Sequence, residues 1–167
     1  MSKLPNVTTS IFTVMSKMAA EYNAINLSQG FPNFPVDKKL TNIVKKIATE
    51  NIHQYLPMAG YPSLLDKIAA LTQISYGRKI TTETEILVTA GATQGIFTAI
   101  QALVNSNDEV IILDPSYDCY VAPVLLCNAT PIRVPLNDDY TINWKSVESV
   151  CSNKTKMIII NNPHNPT

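Results

Sequence analysis

Between Ile86 and Val104 the chain reads ILVTAGATQGIFTAIQALV, and no other stretch restricts the fold as much. Ile86 to Thr89 is a short β-type run. Ala90-Gly91-Ala92-Thr93 is a turn of small residues, after which Ile96, Phe97, Ile100, Leu103 and Val104 recur at helical spacing. A strand that turns straight into a helix leaves several amides at the helix start without an intrahelical acceptor. Together with the helix dipole they favour an anion, most often a phosphate. Gly91 and Ala92 are small enough for a ligand to approach the backbone, and the Thr93 hydroxyl can add a donor. An ordinary βα loop, with Gly91 serving the turn and Thr93 capping the helix, accounts for the same residues. No Walker-type or dinucleotide glycine pattern decides between the two.

At 167 residues the chain can bury a core, and one domain is the default expectation. Charged residues are 16% of the chain, the formal net charge is zero, and Arg78 and Arg133 are the only arginines. That balance argues against a nucleic-acid partner, which needs a basic face. Cys119, Cys127 and Cys151 are odd in number and lack C-x-x-C spacing, which points to buried thiols in a reducing compartment rather than disulfides or zinc. No signal-like core and no apolar run of membrane length is present, so a cytoplasmic location without a membrane partner is expected. The apolar run Met157–Ile160 is followed by a turn that stops at Thr167, where a helix would be expected next. This pattern reads as a fragment.

Along the chain, residues 1–10 read as a polar arm, and Ile11, Val14, Met15, Met18 and Tyr22 fall on one face of a helix from about Thr9. Ile25-Asn26-Leu27 is a brief extended piece leading into the stiff loop Ser28-Gln29-Gly30-Phe31-Pro32-Asn33-Phe34-Pro35. Asp37 to Glu50 reads as a helix with Leu40, Ile43, Val44 and Ile47 inward and lysines in solvent. After the irregular, aromatic stretch His53–Pro62, Ser63 and Asp66 resemble a capping box for a helix to Tyr76, with Gly77 at its end. His53 has no partner at ligand spacing, so no metal site is expected. Beyond the opening stretch, strand, loop and helix alternate: strands at Val110–Leu113, Thr130–Val134 and Met157–Ile160, a short helix to Cys127, and a helix capped by Asn143. That alternation predicts an α/β fold whose sheet is mostly parallel, with helices on both faces and a helical arm before it.

Ligands of open α/β sheets sit outside the carboxyl ends of the strands. Three loops leave such ends. Ala90–Thr93 offers phosphate amides, Asp114–Tyr120 offers the Tyr117 ring after Pro115, and Asn161–Pro166 offers the amides of Asn161 and Asn165. Taken singly, each is also a plain turn or a packing residue. Together they suit a flat, phosphorylated heteroaromatic, and pyridoxal phosphate and flavin mononucleotide both fit.

Five segments carry a resemblance. They are Leu27-Ser28-Gln29-Gly30-Phe31-Pro32; Gln54-Tyr55 with Gly60-Tyr61-Pro62; Thr89-Ala90-Gly91-Ala92-Thr93; Asp114-Pro115-Ser116-Tyr117-Asp118; and Asn161-Asn162-Pro163-His164-Asn165-Pro166. In this order they resemble the class I/II pyridoxal-phosphate aminotransferases of fold type I, in the branch of methionine and kynurenine–glutamine aminotransferases. The resemblance implies that Ala92 and Thr93 hold the cofactor phosphate with Gly91 allowing the turn. It implies that Tyr117 stacks on the pyridine, and that Asn165 binds the ring-hydroxyl side and helps hold the substrate carboxylate. Gly30 and Phe31 would meet the substrate, and Tyr55 would reach the phosphate of a partner subunit in a homodimer. Residues 1–35 would then be an arm with part of the small domain, and 36–167 the first part of the cofactor-binding large domain.

The resemblance also implies three residues further along: an aspartate at the pyridine nitrogen, a Schiff-base lysine and a carboxylate-binding arginine. No lysine from Lys3 to Lys156 stands in the matching context, so no catalytic residue is expected before Thr167. The implied reaction of the intact protein is transamination between a methionine, glutamine or aromatic amino acid and a 2-oxo acid, in amino-acid metabolism. The fragment alone would be inactive, since transamination needs a lysine amine. A β-lyase on the same scaffold and a non-catalytic remnant are the alternatives.

Overall fold

The computed structural model describes residues 2–167; Met1, part of the expected arm, lies outside the described residues. The chain packs as two units, one formed by residues up to Val14 with Ala90–Thr167, the other by Met15–Thr89. Helix α1 (Ile11–Glu21) contributes to both.

The first unit is built on a parallel sheet of order β2-β1-β3, with β1 Glu109–Asp114, β2 Thr130–Pro135 and β3 Thr155–Ile159. Val110 to Leu113 are all buried, as expected for a central strand with both faces covered. Val110 and Ile112 point into a cluster with Ile100 and Val104 from the end of α4 (Ala92–Leu103) and Val124 from α5 (Val121–Leu126). Ile111 and Leu113 meet Val134 and Val147 of α6 (Trp144–Val150) on the opposite face. Helices thus cover both faces, as the alternation predicts. Asn143 caps α6 through Oδ1, which accepts from the Ser146 amide at 3.1 Å. β2 is the outer strand on its side of the sheet. The amides of Thr130 and Leu136 donate inward to Asp108 and Asp114. By the two-residue period Pro131 and Pro135 therefore turn their nitrogens outward, where a strand tolerates proline.

In the second unit, α2 (Lys38–Ala48) starts at Asp37, whose carboxylate accepts from the Lys39 amide at 2.7 Å. Helix α3 (Pro62–Tyr76) ends on Gly77, left-handed at φ 66°. Its start corrects the sequence reading: Pro62 occupies the first turn, Tyr61 stands at the cap without a side-chain bond, and Ser63 lies inside the helix. Proline needs no acceptor there and is preset for helical φ, so it fixes the start two residues early.

Three further expectations are corrected. Among the described residues Ile86–Thr89 joins no ladder; the Val88 amide donates to the Ala59 carbonyl at 2.9 Å, and the sheet has three strands rather than four. Leu40, Ile43, Val44 and Ile47 share one face of α2, but that face is exposed, not inward. No cysteine is fully buried: Cys119 and Cys127 are half-buried and Cys151 is exposed.

Candidate active site

Helix α4 begins at Gly91, whose φ of 87° and ψ of 159° turn the chain out of the extended run and into the helix. Only glycine takes such a backbone readily. A Cβ built on Gly91 meets nothing within 4 Å, so the turn is open on its outer side. Ala92 and Thr93 follow, both exposed, in the first turn where no preceding helical carbonyl can serve their amides. No acidic side chain stands in that turn, and no side chain caps it from the cap position. Gln94 instead reaches back, its Oε1 accepting from the Ala90 amide. This end of α4 therefore presents positive dipole and backbone donors to an open space, the chemistry a phosphate requires.

The second loop meets the first. α4 and α5 are tied along their later turns, where Gln101 Nε2 donates to the Pro123 carbonyl at 3.0 Å and sits 3.1 Å from Cys127 Sγ. At their starts, the side chain of Thr93 lies beside Cys119. Burial pushes the Cys119 thiol above its ordinary range, the charge of Asp118 adds to this, and the nearby Thr93 side chain opposes it. Tyr117 is half-buried against the α4–α5 cluster. Its ring centroid lies 6.2 Å from that of Tyr120, at 67° between planes. Asp114, at the end of β1, accepts from Arg133 Nη1 at 2.9 Å on the surface. An exposed pair of this kind contributes about 0–1 kcal/mol.

The third loop follows β3 and so leaves the same end of the sheet. Asn161, Asn162 and His164 line a hollow of about 530 Å3 with Leu113, Leu136 and Trp144, on the α6 side. Asn165 is exposed, and no hydrogen bond links it to Thr93 or Tyr117 among the described residues. The structure thus brings Thr93 beside Cys119, two residues along the loop from Tyr117, and places Asn165 at the same end of the sheet without joining it to them.

Gly30, Phe31 and Tyr55 belong to the second unit. The loop that carries Gly30 is held by side chains: Ser16 Oγ donates to Gln29 Oε1 at 3.0 Å, Asn26 Nδ2 donates to Ser16 Oγ at 3.0 Å, and Asn26 Oδ1 accepts from the Ser28 hydroxyl at 2.6 Å. Phe31 and Tyr55 are exposed. Among the described residues no group of three or more His, Cys, Asp or Glu is placed to hold a metal ion, and no helix is long and apolar enough to cross a membrane.

Sequence reading passed over Cys119, Tyr120, Gln94 and Ser16. Gln94 stood at the reach-back position of a capping box and could have been found. The others act through partners that only folding brings near.

With this geometry in place, the class is defined: the chain belongs to the class I and II aminotransferases, whose family model matches residues 22–167. Pyridoxal phosphate is the cofactor of that family, and the open, donor-rich start of α4, with the half-buried Tyr117 ring on the neighbouring loop, fits it. The chain is 40% identical to the methionine aminotransferase of Escherichia coli (strain K12) over 99% of its own length and 43% of the relative's. It is 35% identical to the human kynurenine–oxoglutarate transaminase 3, over 98% of this chain and 39% of that one. Among solved structures it matches YbdL from Escherichia coli, whose structure and reactivity identify a methionine aminotransferase function, with a TM-score of 0.94, 40% identity and coverage of 99% and 44%. It matches N-succinyldiaminopimelate aminotransferase from Mycobacterium tuberculosis equally well, with a TM-score of 0.94 at 34% identity, covering 100% of this chain and 44% of that one. The chain spans less than half the length of these relatives.

Proposed function

We propose that the whole protein is a pyridoxal-phosphate-dependent aminotransferase that moves an amino group between a methionine, glutamine or aromatic amino acid and a 2-oxo acid. One observation supports this reading above the rest: the loop that carries Tyr117 leaves the carboxyl end of β1, packs with α4 on one cluster, and brings Cys119 beside Thr93 at the start of α4. When bound, the cofactor supplies a carbonyl and an electron sink for amino-acid chemistry. The chain supplies its placement. The amides of Ala92 and Thr93 hold the phosphate, and Gly91 leaves the approach open. Tyr117 covers one face of the pyridine, and Asn165 binds the hydroxyl side and shares the substrate carboxylate. Gly30 offers its backbone to the substrate with Phe31 beside it. Tyr55 reaches the phosphate of a second subunit, which makes the enzyme a homodimer, working in the cytoplasm.

The test is amino-group transfer by the whole protein, with methionine, glutamine and phenylalanine as donors and a panel of 2-oxo acids as acceptors. Formation of the matching 2-oxo acid, dependent on the acceptor and on added pyridoxal phosphate, is the expected result. Pyruvate and ammonia released from a cysteine conjugate without any acceptor would instead identify a β-lyase and overturn the reading.

A further inference from the structure

Tyr117 lies on a turn, half-buried, and among the described residues no side-chain hydrogen bond sets the plane of its ring. Its neighbour in space is Tyr120, which is 7% exposed and packed among Ile100, Val110, Ile112 and Val124. The two rings meet edge to face at 6.2 Å and 67°, and the Tyr120 amide approaches the Tyr117 carbonyl at 3.4 Å. A half-exposed ring on a turn can rotate about its side-chain bonds, whereas a ring enclosed in close-packed core cannot do so freely. Edge-to-face contact is favoured because the positive edge of one ring meets the negative face of the other, and it is worth about two- to tenfold in an equilibrium constant.

We propose that Tyr120 is a positioning residue: held in the core between α4, β1 and α5, it fixes the plane in which the Tyr117 ring is offered to the cofactor. This rests on the reading of Tyr117 as the stacking ring. The immobile partner keeps Tyr117 preorganised, so less rotational freedom is lost when the cofactor binds.

The experiment uses the whole protein stripped of cofactor and titrated with pyridoxal phosphate. Affinity is read by quenching of tyrosine and tryptophan fluorescence, and the setting of the cofactor by its visible circular dichroism per bound molecule. Tyr120→Leu keeps an apolar filler but removes the ring; it is expected to weaken binding about two- to tenfold and to reduce the dichroism. Tyr120→Phe keeps the edge contact and is expected to leave both unchanged. Tyr120→Met replaces the leucine variant if that one does not fold. In a Tyr117→Ala background, Tyr120→Leu should add no further loss, because the residue acts through Tyr117. If Tyr117→Ala weakens binding while Tyr120→Leu changes neither readout, or if Tyr120→Leu costs as much without Tyr117 as with it, the positioning role is overturned and stacking stands. If Tyr117→Ala itself changes nothing, the stacking role fails and the positioning role fails with it.

Discussion

Ser16 Oγ donates to Gln29 Oε1 and accepts from Asn26 Nδ2, both at 3.0 Å, so one hydroxyl on α1 pins the segment that leads to Gly30. Both bonds are partly buried, and Ser16→Ala leaves two amide groups short of a partner. The expected cost is about 1–2 kcal/mol of stability, since an unmet buried group costs more than a bond contributes. Amide hydrogen exchange should quicken at Phe31, whose N–H donates to the Gln29 carbonyl at 3.1 Å. Unchanged exchange there would show that the loop holds itself.

Tyr117→Ala is expected to lower cofactor affinity by up to about tenfold while leaving the fold in place, from the stacking contribution of roughly 0.5–1.5 kcal/mol. Tyr117→Phe should retain most of the affinity. Equal losses in the two variants would assign the role to the hydroxyl, and equilibrium titration of each separates the cases.

Glycine positions differ in what a methyl group would meet. Gly91 has φ 87° and open space around it, so Gly91→Ala carries the backbone cost alone, about 1–3 kcal/mol. Gly60 has φ 131°, and a Cβ there would lie 2.8 Å from Val88 Cγ2 and 3.3 Å from Leu65 Cδ2. Gly60→Ala should therefore be the more destabilising of the two in denaturant melts. Gly91→Ala should show its larger effect on phosphate binding.

Burial raises the proton affinity of both Cys119 and Tyr120, above ordinary values of 9.0 and 10.0. The native chain therefore keeps protons that the unfolded chain releases as pH climbs past about 9, and stability falls as pH rises. Below that range the contribution is fully present. Thermal melts from about pH 8 to about pH 10.5 should show the decline, and Cys119→Ala should flatten its first part. A decline of the same slope in the variant would place the titration elsewhere.

Much of the first unit could be read from residues alone. Val110 to Leu113 is a continuous apolar run, which marks a strand covered on both faces, and Asn143 three residues before Ser146 is a cap with a mechanism. The open turn before α4 was legible because small residues between an apolar run and a helical period mark a chain entering a helix. Ile86–Thr89 misled because a strand is a relation between two segments, and apolar, extended residues do not carry their own partner. The α2 face misled in the same way: a helical stripe says which residues share a side, not that something covers it. The meeting of Thr93 with Cys119 and of Tyr117 with Tyr120's core left no pattern in the sequence, since both depend on how α4 and α5 lie on β1.

The two prolines on the outer side of β2 give the sheet a direction. With Pro131 and Pro135 turned outward, Arg133 alone keeps an amide on that margin, and its charged side chain discourages a neighbour. A strand arriving from another molecule finds almost nothing to bond there. Mispairing between copies during synthesis or refolding is thereby refused along this border of the sheet.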